Sequence, residues 1–153
     1  GAYGGRRDIM KLVSPVGAVY QAGTLSGNPV AMAAGSTQLK LLWENRELYR
    51  KLDESGEKLY GRMKRYIQEK KLPLTVNYIG SLGCLFFKEG AVTNYQDASE
   101  SRVDEFNRYF AYMLNHGIHL APSQFEAMFL SVAHTDKELD ETFQVFRDFF
   151  EGE

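Results

Sequence analysis

A single cysteine, a single tryptophan, four prolines and three histidines leave this 153-residue sequence poor in the residues that build cross-links and metal sites. The lone cysteine, Cys84, excludes an internal disulfide and fits a reducing compartment. His116, His119 and His134 do not fall into a metal-ligand pattern, and with no cysteine cluster beside them the expected metal content is none. A strong excess of charge of one sign is also missing. A formal net charge of −2 gives no electrostatic reason to expect nucleic acid or a membrane surface as partner. No apolar run approaches the length of a membrane span, and the N-terminus lacks the charged-then-apolar pattern of a secretory signal. A soluble, cytoplasmic protein is the expectation.

What is present is ordinary for a globular chain: 44% apolar and 25% charged residues, enough for one real core. The opening "GAYGGRRDIMKLVSPVGAVYQAGTLSG" is less ordinary, because it is loop-rich and only Asp8 to Val13 can make a short helix. Loops this long are uncommon in a compact domain unless they are functional or lie on another part of the protein. The expectation is a C-terminal piece of a longer chain, with Ile9, Met10, Leu12 and Val13 packed rather than disordered.

Asn28 is a good N-cap and Pro29 suits a first helical position, so a helix begins at Pro29, with Asn45 interrupting it. Its "VAMAAG" supplies small residues that permit close approach to another backbone. Leu48, Leu52, Leu59, Met63 and Ile67 predict one helix from about Glu47 to Lys70, stopped by Pro73. "LTVNYI" and "GCLFF" read as paired strands around a turn framed by Gly80 and Gly83, and residues 89–99 read as loop. Ser101 with Asp104 resembles a capping box opening a helix that Gly117 closes. "IHLA" and "EAMFLSVA" read as strands. A second box, Thr135 with Glu138, opens a last helix carrying Leu139, Phe143, Phe146 and Phe150 on one face. The fold class is therefore α+β: a small, mainly antiparallel sheet with helices on one side.

The densest chemical signal is Gly23 to Pro29. Helix N-termini favour phosphate or carboxylate, Gly23 and Gly27 allow close backbone approach, and Thr24 and Ser26 carry hydroxyl donors. A helix entry with no ligand explains most of the same residues. Glu126, after "APSQF" at the start of an apolar strand, either points into a cleft or sits in water at a strand end. Cys84, between Gly83 and Leu85, reads as an inert core thiol. The three histidines read as structural, and Arg6 and Arg7 as surface charges.

At "QAGTLSGNPVAMAAG", where Gly-Thr is followed by Gly-Asn-Pro, the sequence resembles the class III aminotransferase family. "GAYGGRRDIM" and "LAPSQFEAMFLSVAHT" extend the resemblance over the whole chain. Gln21-Ala22-Gly23-Thr24 stands where relatives acting on ω-amino acids tend to carry His-Gly-Thr-Thr, which favours the aminomutase branch.

The resemblance implies the C-terminal part of a fold type I enzyme dependent on pyridoxal 5′-phosphate (PLP), converting glutamate 1-semialdehyde to 5-aminolevulinate, a tetrapyrrole precursor. It implies residues 1–28 as the tail of the cofactor domain, 29–70 as connecting helices and 71–153 as a C-terminal α+β domain. It further implies that Gly23 and Thr24 bind the cofactor phosphate in the partner subunit of a homodimer. Glu126, Tyr20 and Ser123 would line the pocket of a small-molecule substrate. The Schiff-base lysine would lie upstream, since neither Lys11, Lys40 nor any other lysine here matches its position, so this chain alone is expected to be inactive. Another class III ω-aminotransferase, or a non-catalytic α+β interaction domain, are the alternative readings.

Overall fold

Asn28 does what its sequence position asks: in the computed structural model, which describes residues 1–152, its side-chain oxygen accepts from Val30 N (3.0 Å) and Ala31 N (3.1 Å). Helix α2 follows over Pro29–Glu44 and stops at Asn45, whose backbone and side-chain nitrogens both donate to Leu41 O. This helix belongs to the first of two units, Gly1–Asn45; the second begins at Arg46.

In the first unit, helix α1 spans only Arg7–Met10, shorter than expected. Leu12 and Val13 are drawn out of it: Val19 N donates to Leu12 O (2.9 Å), and Val13 forms a parallel bridge with Val19. No residue of this unit is buried within the chain. Ile9 and Leu12, expected to pack, are 55% and 58% exposed, because the unit holds one long helix and loops, with no second apolar layer to cover them.

The second unit carries the core. Helix α3 (Glu47–Gly56), a π-helical turn (Glu57–Gly61) and helix α4 (Arg62–Lys70) run on from one another where one plain helix was expected. Leu59, Met63 and Ile67 are buried on its apolar stripe, joined by Tyr60 and Tyr66. The helix ends at Lys71, which takes the left-handed conformation (φ 53°), before Pro73 is reached.

Strand β1 (Thr75–Ile79) pairs antiparallel with β2 (Leu82–Phe86) from Thr75↔Phe86 to Ile79↔Leu82. The turn between them needs glycine at Gly80 (φ 52°) and presses onto α3 so closely that a Cβ on Gly56 would lie 1.8 Å from Gly80 O. Strand β3 (Met128–Phe129) adds to the other edge of β2, giving the antiparallel order β1-β2-β3. The α+β class follows. Helices α6 (Val103–Asn115) and α7 (Asp136–Glu151) contribute Phe106, Tyr109, Met113, Leu139 and Phe146 to the core.

Four local expectations are corrected. Residues 95–99 form a short helix, α5 (Tyr95–Ser99), capped by Asn94, whose side chain accepts from Asp97 N (3.0 Å). Ser101 and Asp104 form no capping box; the N-cap is Arg102, whose N–H donates to Phe87 O (3.0 Å), and Ser101 is buried. "IHLA" forms no strand, although Ile118 and Leu120 pack on the core as half-buried side chains. "EAMFLSVA" is a strand only over Met128–Phe129, with Leu130 N donating to Ser81 O (2.9 Å) just beyond it. The Thr135–Glu138 box is present, and the same contact holds the Glu138 carboxyl below its ordinary pKa.

Candidate functional site

The loop ahead of α2 is built by two reverse turns: Ser26 N donates to Gly23 O (3.0 Å), and Asn28 N to Leu25 O (3.2 Å). Gly27 takes φ 74°, a conformation that suits glycine. Ser26 folds back over Gly23, where an added Cβ would lie 2.5 Å from the serine Oγ. Gly23 and Thr24 thus stand together in one exposed turn, with Tyr20 exposed just before it.

Which donors are available follows from bookkeeping. Pro29 has no N–H, Val30 and Ala31 donate to the Asn28 side chain, and Met32 N donates to Asn28 O (2.9 Å). The end of α2 is therefore closed by its own cap. Among the described residues, the N–H groups of Thr24, Leu25 and Gly27 and the Thr24 hydroxyl have no hydrogen-bond partner. The donors left over for an anion are thus those of the loop and not those of the helix terminus. The donor set fits a phosphate group, because it consists of neutral donors and the segment from Ile9 to Trp43 contains no Asp or Glu at all. That acid-free stretch is a signal the reading of motifs passed over.

Ser123 and Glu126 belong to the second unit, in a turn just before β3. Glu126 N donates to Ser123 O (3.0 Å), Phe125 N donates to Ser123 Oγ (3.2 Å), and the Glu126 side chain is exposed. The neighbouring Gln124 is 2% exposed and anchors this turn; nothing in its sequence surroundings marked it. Cys84 donates from Sγ to Gln124 O (3.1 Å), and burial pushes its thiol up to about 11, in keeping with an inert thiol.

The histidines serve local structure. His116 stacks on Tyr112 with its Nδ1 2.8 Å from Tyr112 O, His119 meets Phe110 edge-on, and His134 Nδ1 accepts from Ser131 N (3.0 Å). Among the described residues there is no group of acidic, histidine or cysteine side chains able to hold a metal. Among the described residues no helix is long and apolar enough to cross a membrane.

Comparison with known proteins places the chain in one family. The model of the class-III aminotransferases matches residues 1–150, and the chain belongs to that family. It is 54% identical, over 99% of its length, to glutamate-1-semialdehyde 2,1-aminomutase 1 of Lachnoclostridium phytofermentans. It spans about 36% of that relative. Among solved structures, a β-phenylalanine aminotransferase from Variovorax paradoxus superposes with TM-score 0.81 at 29% identity, over 97% of this chain and 34% of that one. A glutamate-1-semialdehyde aminomutase from Pseudomonas aeruginosa in complex with PMP gives TM-score 0.72 at 22% identity, over 90% of this chain and 31% of that one, a likeness of fold.

Proposed function

We propose that this chain forms part of a PLP-dependent aminomutase that converts glutamate 1-semialdehyde to 5-aminolevulinate for tetrapyrrole synthesis in the cytoplasm. The observation that carries the reading is the 54% identity to an aminomutase across nearly the whole chain. Fold alone does not choose, since aminotransferases and aminomutases share it.

In this reading residues 1–28 end the cofactor domain, 29–70 connect, and 71–153 form the C-terminal α+β domain. The Thr24 hydroxyl and the free N–H groups of the Gly23–Gly27 turn donate to the cofactor phosphate across a homodimer interface. These donors carry no charge, so they fix the phosphate's position by direction as well as attraction. PLP, when bound, supplies an amino-group carrier and an electron sink. The Glu126 carboxylate accepts from the substrate ammonium group and the Ser123 hydroxyl adds to the polar lining beside it, while Tyr20 is a separate candidate for substrate contact on the first unit. No lysine of this chain is assigned to carry the cofactor.

A second reading is an aminotransferase that needs separate amino donor and acceptor, favoured by the superposition on the Variovorax enzyme. The test is to supply the full-length enzyme with glutamate 1-semialdehyde and no added donor. Formation of 5-aminolevulinate over many turnovers is expected. Turnover that requires an added amino donor would replace the aminomutase reading with the aminotransferase one.

A further inference from the structure

We infer that Gln124 is a positioning residue that fixes the Ser123–Glu126 turn against strand β2, with the Cys84 thiol as its second fastening; the functional consequence rests on the substrate-site reading of Glu126.

β-Pairing stops early along this edge of β2. The ladder between β2 and β3 holds only at Leu82↔Phe129 and Gly83↔Met128. Beyond it the chain at residues 123–127 bows into a turn that makes no ladder pair with β2. Two side chains take over. Gln124, almost wholly buried, turns inward so that its Oε1 accepts from Phe87 N (3.5 Å). Cys84 donates from Sγ towards two carbonyls of the turn, Gln124 O at 3.1 Å and Glu126 O at 3.7 Å. Phe87 is pinned from its other end as well, since its carbonyl accepts from Arg102 N (3.0 Å).

The result is a turn with a buried root and an exposed crest. Gln124 sits in the protein while Phe125 and Glu126 on either side of its crest remain exposed. The internal bonds Glu126 N to Ser123 O and Phe125 N to Ser123 Oγ make the crest one rigid piece. A carboxylate on so short and doubly fastened a turn has its position set by the root. The Gln124 Nε2 is buried without a partner among the described residues, so the amide is tied to its surroundings through its oxygen.

The experiment uses the full-length enzyme in its cofactor-loaded form. Gln124→Met keeps length and volume but removes the amide acceptor. Expected are faster hydrogen exchange at Phe87 and residues 123–127, a KM for glutamate 1-semialdehyde raised about tenfold, and a cofactor absorbance unchanged from the parent. Glu126→Gln alone should also raise KM. In the Glu126→Gln background, Gln124→Met should raise it no further, because the glutamine acts through the glutamate; a merely structural role would add its effect. Cys84→Ala gives the same test from the other fastening should Gln124→Met fail to fold. A KM unchanged in both Gln124→Met and Cys84→Ala while Glu126→Gln raises it overturns the positioning role. A Glu126→Gln enzyme with parental kinetics overturns the substrate-site reading instead, and the fastening then stands or falls on whether exchange at 123–127 accelerates.

Discussion

At the scale of single residues, the chemistry proposed for this chain rests on donors that have nothing else to do. The Thr24 hydroxyl is exposed and unbonded among the described residues, in a turn whose neighbours have already capped the helix. A hydrogen bond to a charged phosphate is worth about 1.5–3 kcal/mol, so Thr24→Val in the full-length enzyme should weaken PLP binding by roughly 10- to 100-fold. Cofactor retention through dialysis, followed by absorbance, measures this; unaltered retention would remove Thr24 from the phosphate site. Cys84 gives a prediction of the opposite kind. Burial raises its pKa from 9.0 to about 11, which disfavours the thiolate. Ellman's reagent at pH 8 should therefore react slowly with the native chain and at once in denaturant. The sign for stability follows: the contribution is fully present below pH 9 and is lost between about pH 9 and 11, where only the unfolded chain ionises freely. A thiol titrating rapidly in the folded chain at pH 8 would contradict both statements.

At the scale of elements, contacts between backbones decide more than side-chain patterns do. Gly56 lies under the β1–β2 turn with Gly80 O where its Cβ would be, so Gly56→Ala must push helix and hairpin apart. Overpacking of this kind costs about 1–3 kcal/mol, and thermal denaturation should show it as a clear fall in Tm. Lys71 poses the converse case. It pays for a left-handed conformation at the end of α4, and Lys71→Gly should raise stability by about 0.5–1 kcal/mol in a urea titration. These features also mark where the sequence was legible. The long helix from Glu47, the β1–β2 hairpin and the Thr135–Glu138 box are written in local periodicity and capping chemistry, and all three are present. "IHLA" and most of "EAMFLSVA" were not legible, because apolar runs that short need a partner edge to become strands, and the edge they find reaches only from Met128 to the Leu130 N–H. Ser101 failed as a cap because Phe87, distant in sequence, holds the next N–H. For the site, Thr24 and Glu126 were visible through motifs, whereas the burial of Gln124 depends on where β2 runs and has no local signature.

At the scale of the whole molecule, the buried core and the proposed phosphate contacts belong to different stretches. Every buried hydrophobic residue lies in the unit from Arg46 onward, and none in Gly1–Asn45. A chain beginning at Arg46 should therefore melt within a few degrees of the 153-residue chain by circular dichroism. Loss of its cooperative transition would show that the first unit contributes to the core. Charge is divided in the same way. Of the 20 acidic residues only Asp8 and Glu44 fall in the first unit, against Arg6, Arg7, Lys11 and Lys40. On the reading proposed above, an anionic cofactor would therefore meet a first unit of net positive charge in a chain that is negative as a whole. Counter-ions in solution dull such a field over about 8 Å at physiological ionic strength. Uptake of the cofactor should consequently slow as salt is added, even though none of its assigned contacts is itself a charged side chain.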